Sequence, residues 1–74
     1  MREIKIGGIY THYKGKRYKV LSLAKHSETL EDLVVYECLY DNPRGKIWVR
    51  PKKMFLEDVA RDGKTFPRFK LASE

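Results

Sequence analysis

Leu33-Val34-Val35-Tyr36-Glu37-Cys38-Leu39-Tyr40 is the stretch on which the fold turns. Its β-branched and aromatic side chains suit a pleated backbone, and only Glu37 interrupts their apolar character. An unbroken run of this kind predicts a central strand covered on both faces. The chain then turns at Asp41-Asn42-Pro43-Arg44-Gly45, where Asx residues, a proline and a glycine coincide. Lys46 to Arg50 follows as a short alternating strand. Ile47 and Val49 point one way, and Lys46, Trp48 and Arg50 point the other.

Outward from this pair the pattern continues on both sides. Pro51 suits the start of a helix, and Met54, Phe55 and Val59 have roughly helical spacing. Pro51 to Val59 is therefore expected as one or two helical turns plugging an end of the sheet. Asp62-Gly63 turns the chain again, and Pro67 precedes a last short strand, Arg68 to Leu71. Upstream, His26 to Asp32 is a polar, acidic loop with room for one helical turn. Ile9 to Tyr13 and Arg17 to Lys25 form a hairpin across Lys14-Gly15-Lys16. Glu3 to Ile6 is a short strand or a loose arm closed by Gly7-Gly8.

The tally is five strands with a helical turn between the fourth and fifth, a mainly β architecture. Two forms fit: a small five-stranded SH3-like barrel, or a strongly curved antiparallel sheet with the helix laid across it. Seventy-four residues leave room for one domain, 1–74. A chain this short buries only about 60% of its unfolded surface, so the core is thin.

The single cysteine, Cys38, excludes an intramolecular disulfide and a four-cysteine zinc site. A reducing, cytoplasmic setting follows as the expectation. Met1 to Val20 carries seven charged side chains and no apolar run, which speaks against a signal peptide or membrane span. The formal net charge of +6 is unevenly spread. Residues 1–25 carry +6 and residues 43–53 carry +5, whereas His26 to Asn42 carries −5 with no Lys or Arg. Such a balance suits a nucleic-acid binder. It equally suits a basic protein with a solvated surface, and the acidic centre argues against a uniform phosphate-tracking groove.

Several of these segments occur together in one family. They are Gly8-Ile9-Tyr10-Thr11-His12-Tyr13-Lys14-Gly15, Tyr18-Lys19-Val20, Ala24-Lys25-His26-Ser27-Glu28-Thr29 and Val34-Val35-Tyr36 through Leu39-Tyr40. Trp48-Val49-Arg50-Pro51 with Met54-Phe55, and Pro67-Arg68-Phe69, complete the set. In this combination the chain resembles the domain-of-unknown-function family 1653, short bacterial proteins and fusion domains, from about Gly7 to Phe69. The resemblance implies a compact single domain and lends no activity, cofactor or catalytic residue.

Candidate chemistry is sparse. His26-Ser27-Glu28 places a histidine and a carboxylate in one loop, where they could exchange protons near neutral pH. Adjacent residues rarely reach triad geometry, and no G-x-S-x-G turn is present, so a loop bonding its own backbone is the stronger reading. His12, His26 and Glu28 could share a metal, yet no ligand spacing links His12 to the other two. No metal or cofactor is expected.

A better case rests on strand faces. Alternation puts Tyr10 and His12 opposite Ile9, Thr11 and Tyr13, and puts Trp48 and Arg50 opposite Ile47 and Val49. A solvent-side face of Tyr10, His12, Trp48 and Arg50 beside the His26–Glu28 loop would suit recognition, because Trp, Tyr and Arg anchor binding sites. They stack on bases and clamp phosphates or carboxylates. The rival assignment makes Trp48 the central core residue and Arg50 a structural partner of an acid in the His26–Asp32 loop. Tyr13, Tyr18, Tyr36 and Tyr40 are expected as core or half-core residues. Phe55, Phe66 and Phe69 should close the barrel ends, and Cys38 should be a buried small hydrophobe.

Two functional classes follow. One is a small binding module for a nucleic acid, a nucleotide-like small molecule or a peptide, with Tyr10, His12, His26, Glu28, Trp48 and Arg50 as ligand-binding candidates and no role for a membrane. The other is a small enzyme or accessory domain using His26 and Glu28 for proton transfer.

Overall fold

A computed structural model describes residues 4–73. The strands are β1 (Ile9–His12), β2 (Arg17–Lys25), β3 (Asp32–Cys38), β4 (Ile47–Pro51), β5 (Asp58–Arg61), β6 (Lys64–Pro67) and β7 (Phe69–Ser73), with one helix, α1 (Lys52–Phe55), between β4 and β5. β4-β3-β2-β1-β7 form a single antiparallel sheet, and β5-β6 stand apart as a hairpin. β7 pairs with β1 and not with β4, so the barrel does not close. Of the two expected architectures, the curved antiparallel sheet is the one adopted. Register shifts between Val20 and Ser22 and between Ile9 and Tyr10 add local twist that bends it.

The turns follow from local chemistry. Gly15 N–H reaches back to the His12 carbonyl at 2.7 Å and closes the β1–β2 hairpin. At the β3–β4 connection, Asn42 accepts the Arg44 N–H through its side chain at 3.0 Å and the Gly45 N–H through its carbonyl at 3.2 Å. The β5–β6 hairpin was absent from the sequence expectation. Its two-residue turn is Asp62-Gly63, with φ of 51° and 75°, and this doubly positive pair is the type I′ geometry that Asp-Gly favours.

The helix is shorter than the periodicity suggested. Pro51 ends β4 opposite Leu33 and caps a helix of four residues, and Val59 belongs to β5. One turn is enough to place Phe55 in the core, where it is 1% exposed. Its ring stacks on Phe69 at 4.1 Å between centroids and meets Tyr10 edge-on at 5.3 Å. Phe55 and Phe69 therefore fill the middle of the concave face and do not close barrel ends. Around them the core is Tyr10, Val20, Val34 and Tyr36, with Ile4 and Tyr18 packed alongside.

β3 shows how pairing sorts its side chains. Val34, Tyr36 and Cys38 are buried, whereas Leu33, Val35 and Glu37 are only half-buried. The strand is thus covered fully on one face, contrary to the two-sided expectation, and it ends at Cys38 before Leu39 and Tyr40. The outer face carries apolar surface instead: Ile47 and Val49 on the edge strand β4 are 60% and 58% exposed. Of the expected leading arm, residues 1–3 lie outside the described residues. The remainder is tied down: Gly7 N–H bonds the Val20 carbonyl at 2.8 Å, and Lys5 N–H donates to the Tyr10 hydroxyl at 2.9 Å. Among the described residues no helix is long and apolar enough to cross a membrane.

Candidate functional site

Cross-strand partners share a face of a sheet, so register fixes which side chains meet. Tyr10 pairs with Tyr18 and Tyr18 with Cys38; Val20 pairs with Tyr36 and Tyr36 with Trp48; Val34 pairs with Arg50; His12 pairs with Phe69. Tyr10, His12, Trp48 and Arg50 do lie on one face, as alternation predicted. That face is the concave core face and not a solvent face, because α1 folds back over it.

The four residues consequently have different fates. Tyr10 is 5% exposed, with its hydroxyl engaged by Lys5, and it is removed from the candidate ligand-binding set. Trp48 sits at the rim, 37% exposed, and its indole N–H donates to the Gly45 carbonyl at 3.1 Å. It is neither the central core residue nor a free stacking platform. Arg50 is half-buried. Its Nε donates to the Tyr36 hydroxyl at 3.5 Å, and its guanidinium lies 5.4 Å from the centre of the Phe69 ring. Among the described residues it pairs with no carboxylate. The anticipated partner loop is engaged elsewhere, Asp32 with Lys25 at 2.6 Å.

His26 and Glu28 stand at the opposite end of β2 from His12, so neither the metal trio nor the combined binding site assembles. Among the described residues no group of potential ligands could hold a metal ion. The His26 ring serves its own loop: Nδ1 accepts the backbone N–H of Glu28 at 3.1 Å and of Thr29 at 3.4 Å. The cavity nearest in sequence is lined by Glu31, Asp32, Lys52, Lys53 and Leu56, without either candidate.

His12 is the residue around which a site does form. Its ring centre is 4.5 Å from that of Tyr13, 4.9 Å from Phe69 and 6.4 Å from Tyr18. Nδ1 accepts the Lys14 N–H at 3.2 Å, which leaves Nε2 to carry the proton of the neutral ring. Partial burial lowers its pKa below the ordinary 6.5, and the positive charges of Arg50, Arg68 and Lys14 lower it further. Three cations thus act on one neutral imidazole.

Beside His12 opens a cavity of about 540 Å³, lined by Thr11, His12, Tyr13, Phe66, Pro67 and Lys70 among others. The unanticipated β5–β6 hairpin supplies one wall. Tyr13 N–H bonds the Arg68 carbonyl at 2.9 Å, Arg68 N–H bonds the Glu57 carbonyl at 3.0 Å, and Tyr13 meets Phe66 at 5.8 Å between ring centres. Arg68 also pairs with Glu57 at 2.8 Å, while its Nε is buried with no partner among the described residues. On the other side of His12 the Tyr18 and Tyr40 hydroxyls share a hydrogen bond at 3.0 Å. Burial, followed by that bond, raises the Tyr18 phenol well above its usual pKa of 10. Lys14 and Lys16 lie over the rings of Tyr13 and Tyr40, at 5.9 and 4.8 Å.

Sequence reasoning found His12 and Arg50 but missed Tyr13, Phe66, Arg68 and Lys70. Tyr13 and Phe66 were assigned to packing, and without the second hairpin nothing brought residues 66–70 to the β1 end. Chemically, this corner offers flat apolar surface and surplus positive charge.

The model of the family described as a protein of unknown function (DUF1653) matches residues 8–71. A crystal structure of a protein from Bordetella bronchiseptica belonging to DUF1653 has the same fold, with a TM-score of 0.88 and 34% sequence identity, covering 99% of this chain and 92% of that one. No curated protein matches the sequence. The chain belongs to the DUF1653 family.

Proposed function

We propose that the domain is a binding module whose ligand carries an anionic group and a flat ring, of which a nucleotide unit is the simplest example. The observation that carries this reading is the convergence of Arg50, Arg68 and Lys14 on the neutral His12 ring at the mouth of an aromatic cavity. Glu57 balances Arg68, whereas Arg50 and Lys14 have no carboxylate partner among the described residues and leave positive charge that an anion can occupy. Arg50 offers a guanidinium with no carboxylate partner among the described residues, Lys70 a further cation in the cavity, and His12 Nε2–H a neutral donor. Tyr13, Phe66 and Pro67 provide the apolar surface on which a ring can lie. The alternative of an enzyme using His26 and Glu28 has no comparable support, because His26 Nδ1 accepts from its own loop and the cavity beside that loop is lined by neither residue.

Amide resonances of the full chain, followed while adenosine monophosphate is added, test the proposal. Shifts concentrated in residues 11–16 and 66–70 are expected. Arg50→Gln should weaken binding by roughly 10- to 100-fold, the worth of one charge-assisted hydrogen bond. Unmoved resonances at this corner, or an Arg50→Gln variant that binds as well as the parent, would overturn it.

A further inference from the structure

The rings at this corner form a row. From Phe66 to Tyr13, His12, Tyr18 and Tyr40 the successive centre-to-centre steps are 5.8, 4.5, 6.4 and 5.6 Å. All five side chains are half-buried, so each is held by packing and keeps part of its surface exposed. Cations flank the row along its length: Lys70 in the cavity beside Phe66, Lys14 over Tyr13, Arg50 over the Phe69 ring that adjoins His12, and Lys16 over Tyr40. The Tyr18 and Tyr40 hydroxyls bond each other, so at that end the phenol oxygens are already engaged within the row.

We infer that the ligand is a single-stranded nucleic acid laid along the row Phe66–Tyr13–His12–Tyr18–Tyr40, with its phosphates tracked by Lys70, Lys14, Arg50 and Lys16. This rests on the proposed binding function and gives it a ligand class. A mononucleotide has one phosphate and one ring, and it can use one ring-and-cation pair at a time. The corner repeats that pair from ring to neighbouring ring, which matches a polymer whose bases and phosphates also repeat. A duplex hides the faces of its bases in its own stack and cannot engage the rings. An acidic peptide would satisfy the cations but has no repeating flat surface for the aromatic steps.

Fluorescence anisotropy of labelled oligouridylates of one, three, five and eight residues, with the full chain, reads this directly. Affinity should rise at least about 30-fold from the mononucleotide to the pentamer and then level off, as added bases find added rings. Four neutralised phosphates predict a salt slope of roughly −2 to −3 for a single strand, an affinity loss of about 20- to 60-fold between 50 and 200 mM salt. The exposed turn variant Lys14→Gln/Lys16→Gln should flatten that slope by roughly 1.4. A mononucleotide that binds as tightly as the pentamer overturns the inference and leaves the binding function standing. So does a duplex, or a polyglutamate peptide, that matches the single strand. Failure of mononucleotide, inorganic phosphate and every oligonucleotide to bind overturns both.

Discussion

Phe55 is the residue whose removal the structure predicts most definitely. It is the one core side chain contributed by α1, it is 1% exposed, and it lies flat on Phe69 and edge-on to Tyr10. A fully buried phenylalanine removes about 150–250 Å² from water, worth roughly 4–6 kcal/mol at 25 cal/mol/Å² as an upper bound. Phe55→Ala keeps the β-carbon and leaves a cavity that a rigid sheet cannot collapse around, so a loss of about 4 kcal/mol is expected. A chain of 74 residues has a total stability of about 4–11 kcal/mol, so the variant should be marginal or unfolded at 25 °C. Urea unfolding followed by the fluorescence of Trp48, the sole tryptophan, measures it. With an m-value near 1 kcal/mol/M the midpoint should fall by about 4 M. Phe55→Leu, which keeps most of the volume, should lose less than about 1.5 kcal/mol. Met54→Ala, one residue earlier and exposed, should lose less still. A Phe55→Ala protein that loses under about 1.5 kcal/mol with an unchanged m-value would refute the claim that this single turn closes the core.

Two further predictions concern the site and the second hairpin. The His12 ring should titrate below 6.5 by NMR, and Arg50→Gln should move its midpoint upward. Because the folded ring takes up its proton later than the unfolded one, this residue's stability contribution is complete above about pH 6.5 and is lost as pH falls toward the folded midpoint; His12→Asn should remove that part of the pH dependence, and an unchanged profile would refute it. Gly63→Ala should cost about 1 kcal/mol from backbone strain alone, since φ is +75° and an added β-carbon meets nothing within 4 Å; an unshifted urea midpoint would show that the turn has another geometry.

The legible parts of this protein are those governed by neighbours in sequence. The strands at Arg17–Lys25 and Ile47–Pro51 follow from β-forming residues between Gly- and Pro-containing turns, and the pleat alone puts Trp48 and Arg50 on one side and Ile47 and Val49 on the other. The Asp62-Gly63 dipeptide carried the signal for the β5–β6 hairpin as well, but the helical spacing of Met54, Phe55 and Val59 drew Val59 into a longer helix and left only one strand after the turn. Leu33 to Tyr40 misled in the opposite way: an apolar run announces a strand without saying how many of its faces another element covers.

That last distinction is where local chemistry stops. Alternation assigns side chains to two faces and cannot tell the inner from the outer, because the choice depends on which face the chain returns to cover. Here α1 returns Phe55 to the face of Tyr10 and Tyr36, burying Tyr10 and leaving Ile47 and Val49 in solvent. The same return brings Phe66 and Arg68, more than fifty residues along the chain, against Tyr13. The sequence by itself determined the five strands of the main sheet, most of the turns and the membership of each face, but not the β5–β6 hairpin. Only the tertiary structure decided which face is the core and gathered the cations and rings around His12, because burial and charge convergence are properties of segments brought together across the fold.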